Sequence, residues 1–411
     1  MERQSNMELL RLVAMMMILV MHMDYGAFGL PTAESVENAP MTTFGRIFVE
    51  HLCLVAVNVY VLISGWFGIR PKMKSFVRLM LQVAMYSIII TGAFLLLGKT
   101  TFKIGYVTDM LIIGKQYWFV VSYLLLYLVS PILNTFVEHS SKREFQWMLL
   151  VFFGFQFVYS WIFGLEEFAG GYSALSFMGL YLLARYVKIY ENDNERRRTK
   201  DENESSHPDG IASRSTALRA GSKFQAPLRL PRGGEKPSGW YSPPLGEVGR
   251  GLLSFKSLTR FTFSQLLALY LFIAAITALF VFLAYVWKGD TFGDACAGIF
   301  AHYNSPFIVV SSLVVLLMFS KLHVQSKVIN YLSSSAFAVY LIHAHPLLWD
   351  EYLNLFPPIY AKYPNLLGVL LMMLVAVIIF FLCIAIDKIL SPLQLPHGGE
   401  SSEELVVSSE E

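Results

Sequence analysis

The feature that most constrains the fold of this chain is the recurrence of apolar stretches about 20 residues long, the length that crosses a bilayer as a helix. Apolar residues make up 55% of the 411 residues and charged residues only 15%, against roughly 25% charged residues in a soluble domain. The surplus apolar surface must face lipid. The sequence therefore predicts an all-α, polytopic transmembrane bundle of about ten helices, at 7–27, 45–68, 76–97, 117–137, 146–164, 172–190, 264–287, 302–320, 333–349 and 364–389.

Basic residues concentrate in alternate loops between these predicted spans. The loops on the side of the N-terminus contain Arg70, Lys72, Lys74, Arg78, Lys142, Arg143, Lys321 and Lys327. Because Lys and Arg concentrate in cytoplasmic loops, both termini are predicted to be cytoplasmic. The first apolar stretch has no small-residue cleavage site after it, which favours a retained helix over a signal peptide.

One predicted loop, 191–263, differs from the others in length and composition. It starts with a charged run and continues through a Pro/Gly-rich tract at 227–251. Such a composition cannot bury enough apolar area to become ordered, so we expect a disordered cytoplasmic linker or insertion; a regulatory or lipid-surface basic arm is the alternative. The loop separates a first part of the transmembrane core, 1–190, from a second part, 264–393, and an acidic tail, 394–411, is expected to be disordered.

The composition also argues against several classes of function. Cys53, Cys296 and Cys383 are far apart in the chain and none belongs to a CxxC pair, so neither a metal knuckle nor a disulfide framework is expected. No basic stripe accompanies a recognisable nucleic-acid module. The sequence therefore predicts no metal and no nucleic-acid partner.

The most informative residues are three ionisable side chains in the first predicted span: Glu8, Arg11 and His22. An ionisable group within a span is costly and indicates function by default. At 100° per residue, Arg11 and His22 project from one face of a helix, about 16 Å apart along its axis. Glu8 precedes Arg11 by three residues and can pair with it. The alternatives are an interfacial pair, with the Arg11 side chain reaching toward water, and a polar His22 at the outer membrane surface.

Five motifs in the same order resemble the acyltransferase-3 family of bacterial integral membrane proteins. The first is ELLR at 8–11 followed by ten residues and His22. The second is VNVYVLISGWFGI at 57–69, and the basic run 70–78 follows it. The last two are QYWFVVSYLLLYLVSPIL at 116–133 and SSSAFAVYLIHAHPLLW at 333–349. Many members of the family have two arginines three residues apart in this run, whereas this chain has Lys74 and Arg78, with Arg70 earlier.

The resemblance implies transfer of an acyl group, usually acetyl, from cytoplasmic acyl-coenzyme A to a hydroxyl of a cell-surface glycan or its lipid-linked precursor, in the bacterial inner membrane. His22 is then expected to be the general base, since imidazole titrates near neutrality. Arg11 would contact phosphate or a developing oxyanion, oriented by Glu8. His343, which matches a Leu-Ile-His triplet of the family, is expected as a second polar residue of the site.

The same resemblance assigns supporting residues. Arg70, Lys74 and Arg78 are expected to bind the coenzyme phosphates, although positive-inside topology alone would also explain them. Ser64 would donate a hydrogen bond or only permit close packing. Trp118 and Tyr123 would support the site or serve as core or interfacial aromatics; no metal is implied.

Two other classes of function stay open at this point. In a transporter or flippase, Arg11 and His22 would line a permeation path, but no internal repeat of the kind common in transporters is evident. A structural membrane scaffold is the other class, and buried charges argue against it.

Overall fold

The structure is a computed structural model that describes residues 4–106, 117–163, 166–192 and 256–393. All regular elements of these residues are helical, as the sequence predicts. The first eight helices are α1 Ser5–Met21, α2 Ala33–Asn38, α3 Pro40–Cys53, α4 Val55–Phe67, α5 Met73–Leu96, α6 Trp118–His139, α7 Lys142–Phe155 and α8 Ala174–Tyr186. The later ones are α9 Lys256–Arg260, α10 Phe263–Ala301, α11 Pro306–Ser320, α12 Lys327–Ser333, α13 Ala336–His343, α14 Pro346–Leu353, α15 Phe356–Lys362 and α16 Leu366–Leu390.

Six helical runs of the described residues are long and apolar enough to cross a membrane, which makes the chain a helical membrane protein. These runs are Ser5–Gly26, Pro40–Phe67, Met73–Leu96, Trp118–His139, Phe263–Ser320 and Leu366–Leu390. The all-helical architecture is thus confirmed, and the count of ten spans is confirmed in part. The predicted spans at 264–287 and 302–320 fall within one run of 58 residues, which contains a kink at Gly289 with φ +72°.

Three of the predicted spans have a different form in the structure. The segment 146–164 consists of α7 followed by a π-helical segment, Gln156–Ile162. The segment 172–190 likewise contains α8 and the start of another π-helical segment, Val187–Asn192. The segment 333–349 contains the end of α12, all of α13 and the start of α14. Pro346 ends the helix before it because proline lacks the N–H that the helix needs, and it then occupies the first position of α14.

The centre of the bundle is α4, which contacts α1, α8 and α11. Close approach to α8 depends on a glycine: a Cβ at Gly65 would lie 2.4 Å from the Tyr181 carbonyl oxygen. Small residues permit such contacts between membrane helices. By contrast, about one third of the most apolar window of α5, α6 and α16 is buried, so the remaining apolar side chains of these three helices are available to lipid.

The predicted loop and tail lie largely outside the described residues, which omit 193–255 and 394–411. Helix α9 and Phe263, the first residue of α10, belong to the predicted loop and are described. A capping box starts α10, since Thr262 Oγ1 accepts from the Gln265 amide at 3.4 Å and Gln265 Oε1 accepts from the Thr262 amide at 2.9 Å. The division into two core parts, loop and tail stays a prediction.

Candidate active site

A cavity of about 540 Å³ lies between the helices at the C-terminal end of α1, a volume typical of small-molecule sites, which span roughly 300–1,000 Å³. Most of its wall is apolar. No lysine or arginine of the described chain contributes to this wall. The lining residues that matter for the chemistry include His22, Glu50, Trp118, Tyr172, Tyr303 and Trp349.

The side chain of His22, which lines this cavity, contacts the side chain of His343, 321 residues away in sequence. Nδ1 of His22 lies 3.1 Å from Nε2 of His343, and Nδ1 of His343 lies 2.6 Å from the Val339 carbonyl oxygen. A carbonyl oxygen only accepts, so Nδ1 of His343 carries a proton and, in the neutral ring, Nε2 accepts from His22. The neutral His22 ring therefore has its remaining lone pair on Nε2.

Local breaks in two helices place these imidazoles. His22 begins a π-helical turn, His22–Gly26, that directly follows α1, and π-helical turns are frequent at functional sites. His343 is the last residue of α13, beside the break before Pro346. Trp349 of α14 packs edge-on against the His22 ring, with centroids 4.7 Å apart. The site is thus formed where helices end, and tertiary contacts fix its geometry.

Glu8 and Arg11 form a second, separate cluster near the N-terminal end of α1. Arg11 Nη1 pairs with Glu8 Oε1, and Ser333 Oγ donates to Glu8 Oε2 at 2.6 Å. Both residues are buried, with relative exposures of 4% for Glu8 and 9% for Arg11. Arg11 Nη2 is buried and has no hydrogen-bond partner among the described residues. One guanidinium nitrogen thus remains available to a ligand.

Arg11 does not line the cavity that His22 lines. Eleven residues of helix separate them, about 16 Å along the axis. The cavity contacts α1 at Met15, Ile18, Met21 and His22 but not at Arg11. The structure therefore joins His22 with His343, and Arg11 with Glu8, as two pairs at different depths.

A series of hydrogen bonds runs from α1 to the supporting residues Ser64 and Tyr123. Tyr60 Oη donates to the Arg11 carbonyl at 2.8 Å, and Ser64 Oγ donates to the Tyr60 carbonyl at 3.1 Å. With its proton committed there, Ser64 Oγ accepts from Tyr123 Oη at 3.1 Å. Trp118 lies apart from this series, stacked on Tyr303 with centroids 6.1 Å apart at the cavity.

Hydrogen bonds from the bundle hold the short loop after α4, which carries the basic motif. Tyr181 Oη accepts from the Ile69 amide at 3.0 Å, and Tyr127 Oη accepts from the Lys72 amide at 2.7 Å. Arg70 in this loop is exposed. The backbone of the loop is thus held by hydrogen bonds, while the Arg70 side chain is accessible to solvent.

The two later cations of the motif lie on α5. Lys74 is exposed and Arg78 is half-buried. Arg78 Nε is a buried donor with no hydrogen-bond partner among the described residues. All three cations lie at or after the α4–α5 connection, and none of them lines the cavity.

Sequence reasoning missed two polar residues next to these sites. A Cβ on Gly68 would lie 3.1 Å from Arg185 Nη1, so this guanidinium lies against the loop that carries Arg70, and its Nε is buried without a described partner. Glu50, which lines the cavity, is 2% exposed. Both residues lie inside predicted spans, where an ionisable side chain is itself a signal of function.

No group of three or more His, Cys, Asp or Glu side chains that could hold a metal ion occurs in the described ranges. Two neutral imidazoles joined by a hydrogen bond are suited to proton transfer. The fold and the cavity define a helical membrane protein with a polar site between its helices.

Comparison with known proteins identifies the family. A family model described as an acyltransferase domain, that of the acyltransferase-3 family, matches residues 4–386. The chain therefore belongs to the acyltransferase-3 family, as its motifs predicted, and this membership indicates a membrane acyltransferase. No curated protein and no solved structure matches the chain significantly.

Proposed function

We propose that this protein is an O-acyltransferase that moves an acyl group, acetyl in the first instance, from cytoplasmic acyl-coenzyme A to a hydroxyl of a cell-surface glycan or its lipid-linked precursor. The observation that carries the proposal is the oriented His343–His22 pair, in which His22 lines the cavity and its Nε2 is the free base. The family match supplies acyl transfer as the reaction class.

His22 is the general base in this mechanism. A hydroxyl is a weak nucleophile at neutral pH and needs a base within hydrogen-bond reach. Its proton passes to Nε2 of His22 as its oxygen forms a bond to the thioester carbonyl carbon. When the C–S bond breaks, His22 returns the proton to the departing sulfur, so the products are an ester and a free thiol. His343 stabilises the imidazolium through Nε2, which accepts from Nδ1–H of His22.

Arg11 contacts the donor rather than the developing oxyanion in this proposal. The oxyanion forms next to His22 Nε2, whereas Arg11 lies about 16 Å away along α1. Its unpaired Nη2 suits an amide or phosphate oxygen of a donor that extends along the bundle. Glu8, which accepts a hydrogen bond from Ser333, holds the guanidinium in place.

Cations at the N-terminal end of α1 are proposed to bind the phosphates of the coenzyme. Arg70, Lys74 and Arg78 follow α4 in sequence, and Arg185 lies against Gly68 in the same loop. Because Lys and Arg are enriched in cytoplasmic loops, this end is assigned to the cytoplasm, together with both termini. The cavity is then nearer the outer surface of a bacterial inner membrane, where an acceptor arrives.

The direct test is an assay of the full chain, purified in lipid nanodiscs, with radiolabelled acetyl-coenzyme A and a bacterial cell-wall glycan extract. Release of free thiol should equal acetyl incorporation into an alkali-labile ester. His22→Ala should abolish both while membrane insertion is preserved. A flippase or transporter would release no thiol, and normal turnover by His22→Ala would contradict the assigned base.

A further inference from the structure

Glu50 is a cavity residue to which the mechanism above gives no role. It lies in α3, within a membrane-spanning run, is 2% exposed and lines the same cavity as His22. Its Oε2 is buried and has no hydrogen-bond partner among the described residues. A buried carboxyl oxygen without a partner is costly, and a ligand that donates hydrogen bonds would remove that cost.

The nearest cation on α3 is already committed to other partners. Arg46 Nε donates to Asp24 Oδ1 at 2.5 Å, and Arg46 Nη2 donates to the Gly29 carbonyl at 3.0 Å. The guanidinium also lies over the Phe28 ring, 5.3 Å from its centroid. Glu50, one helical turn further along, therefore keeps a carboxyl group for the cavity.

The cavity wall also offers aromatic rings and a second carboxyl group. The rings of Trp118, Tyr172 and Tyr303 pack together, with centroids 4.5 Å apart for Trp118–Tyr172 and 4.7 Å for Tyr172–Tyr303. Asp294 lines the cavity as well, and no described lysine or arginine does. A sugar ring fits this chemistry, because its C–H face packs on aromatic rings while its hydroxyls donate to carboxyl oxygens.

We propose that Glu50 is a specificity-determining residue that binds the acceptor, and that it selects an uncharged hydroxylated ring over an acidic one. Its carboxyl accepts hydrogen bonds from hydroxyls next to the one that reacts at His22 Nε2. An acceptor with a carboxylate or phosphate at this position would meet Glu50 and Asp294 without a cation to pair with. This inference rests on the proposed function, since it assumes that the cavity receives the acceptor.

The test measures sugar binding in the absence of any acyl donor, by tryptophan fluorescence, since Trp118 and Trp349 line the cavity. The probes are neutral di- and trisaccharides of glucose, N-acetylglucosamine, mannose and galactose, each paired with a uronic-acid counterpart. At least one neutral probe should bind the wild-type chain more tightly than its acidic counterpart. Glu50→Gln should weaken neutral binding about tenfold, because the amide leaves one side-chain oxygen instead of two to accept from sugar hydroxyls, and reduce the preference over the acidic probe.

The matched control is Glu37→Gln, because Glu37 is exposed on α2. This variant should bind every probe as the wild type does. A thermal melt of each variant separates misfolding from loss of binding. The inference is overturned if no neutral probe binds the wild type, if acidic probes bind equally well, or if folded Glu50→Gln binds normally. Failure of the proposed function is a different result, namely no thiol released from acetyl-coenzyme A by the wild type.

Discussion

Nδ1 of His22 donates to Nε2 of His343, 3.1 Å away, while the Val339 carbonyl fixes the proton of His343 on its other nitrogen. The backbone of α13 thus determines the tautomer of a residue at the opposite end of the sequence. The consequence is a base whose free lone pair is on Nε2 and whose charged form is stabilised by the hydrogen bond from its Nδ1–H to His343.

The first prediction concerns this pair. His343→Ala removes the acceptor for His22 Nδ1–H but leaves the base itself, so we expect kcat to fall by about 10- to 100-fold, a part of the roughly 100- to 10,000-fold that general base catalysis contributes, with little change in either KM. His343→Gln keeps an amide oxygen that can accept from His22 and should retain more activity than the alanine variant. The comparison is made by initial rates at saturating donor.

The control for this series is His51→Ala, because His51 is buried and bonds to the Ile47 carbonyl outside the cavity lining. It should change stability without the selective loss of kcat. Equal activity of folded His343→Ala and wild type would refute the coupling between the two imidazoles.

The second prediction concerns the buried pair Glu8–Arg11. Arg11→Met leaves Glu8 as an uncompensated buried charge and should destabilise the folded chain by about 3–5 kcal/mol. The double variant Arg11→Met with Glu8→Gln should recover most of that stability but not the affinity for acyl-coenzyme A, because Nη2 is still absent. Thermal melting and the donor KM are measured on both variants; recovery of donor affinity along with stability would assign Arg11 a structural role only.

The third prediction concerns the contact between α4 and α8. Gly65→Ala places a methyl group 2.4 Å from the Tyr181 carbonyl oxygen, and overpacking of this kind typically costs about 1–3 kcal/mol. We therefore expect a lower melting temperature in detergent. Gly92→Ala is the matched control, since nothing lies within 4 Å of its added methyl; equal melting temperatures for the two variants would contradict the close packing.

The sequence predicts the lipid-facing helices better than the helices that form the site. Helices such as α5 and α16 are long and apolar because lipid contacts them, so hydropathy alone finds them. The segment 333–349 is also rich in apolar residues, but His345 and Pro346 divide it. The mean hydropathy over a window of about 20 residues changes little when one of them is proline, so it does not reveal the break.

Residue spacing could relate Arg11 to His22 because both lie on one helix, whose geometry is known in advance. It could not pair His22 with His343, which depends on how α13 packs against α1; only the resemblance to the family suggested His343. Glu50 and Arg185 were not predicted, because charges within a span were used to predict site residues only for the first helix. The same rule applied to α3 and α8 would have found both residues.

The last prediction separates phosphate binding from topology for the cations at the proposed cytoplasmic end. Arg78 Nε and Arg185 Nε are buried donors without described partners, and guanidinium groups suit phosphate oxygens. Arg78→Gln and Arg185→Gln should each raise the KM for acetyl-coenzyme A by about tenfold, the loss expected for one hydrogen bond to a charged group. With acetyl-pantetheine, which has no phosphate, the same variants should match the wild type, whose own KM should be higher for this shorter donor. Lys362→Gln, at an exposed cation of α15, is the control with both donors. If the KM of the two arginine variants rises equally for both donors, the residues act on folding or topology, because a phosphate contact cannot be lost where no phosphate is present.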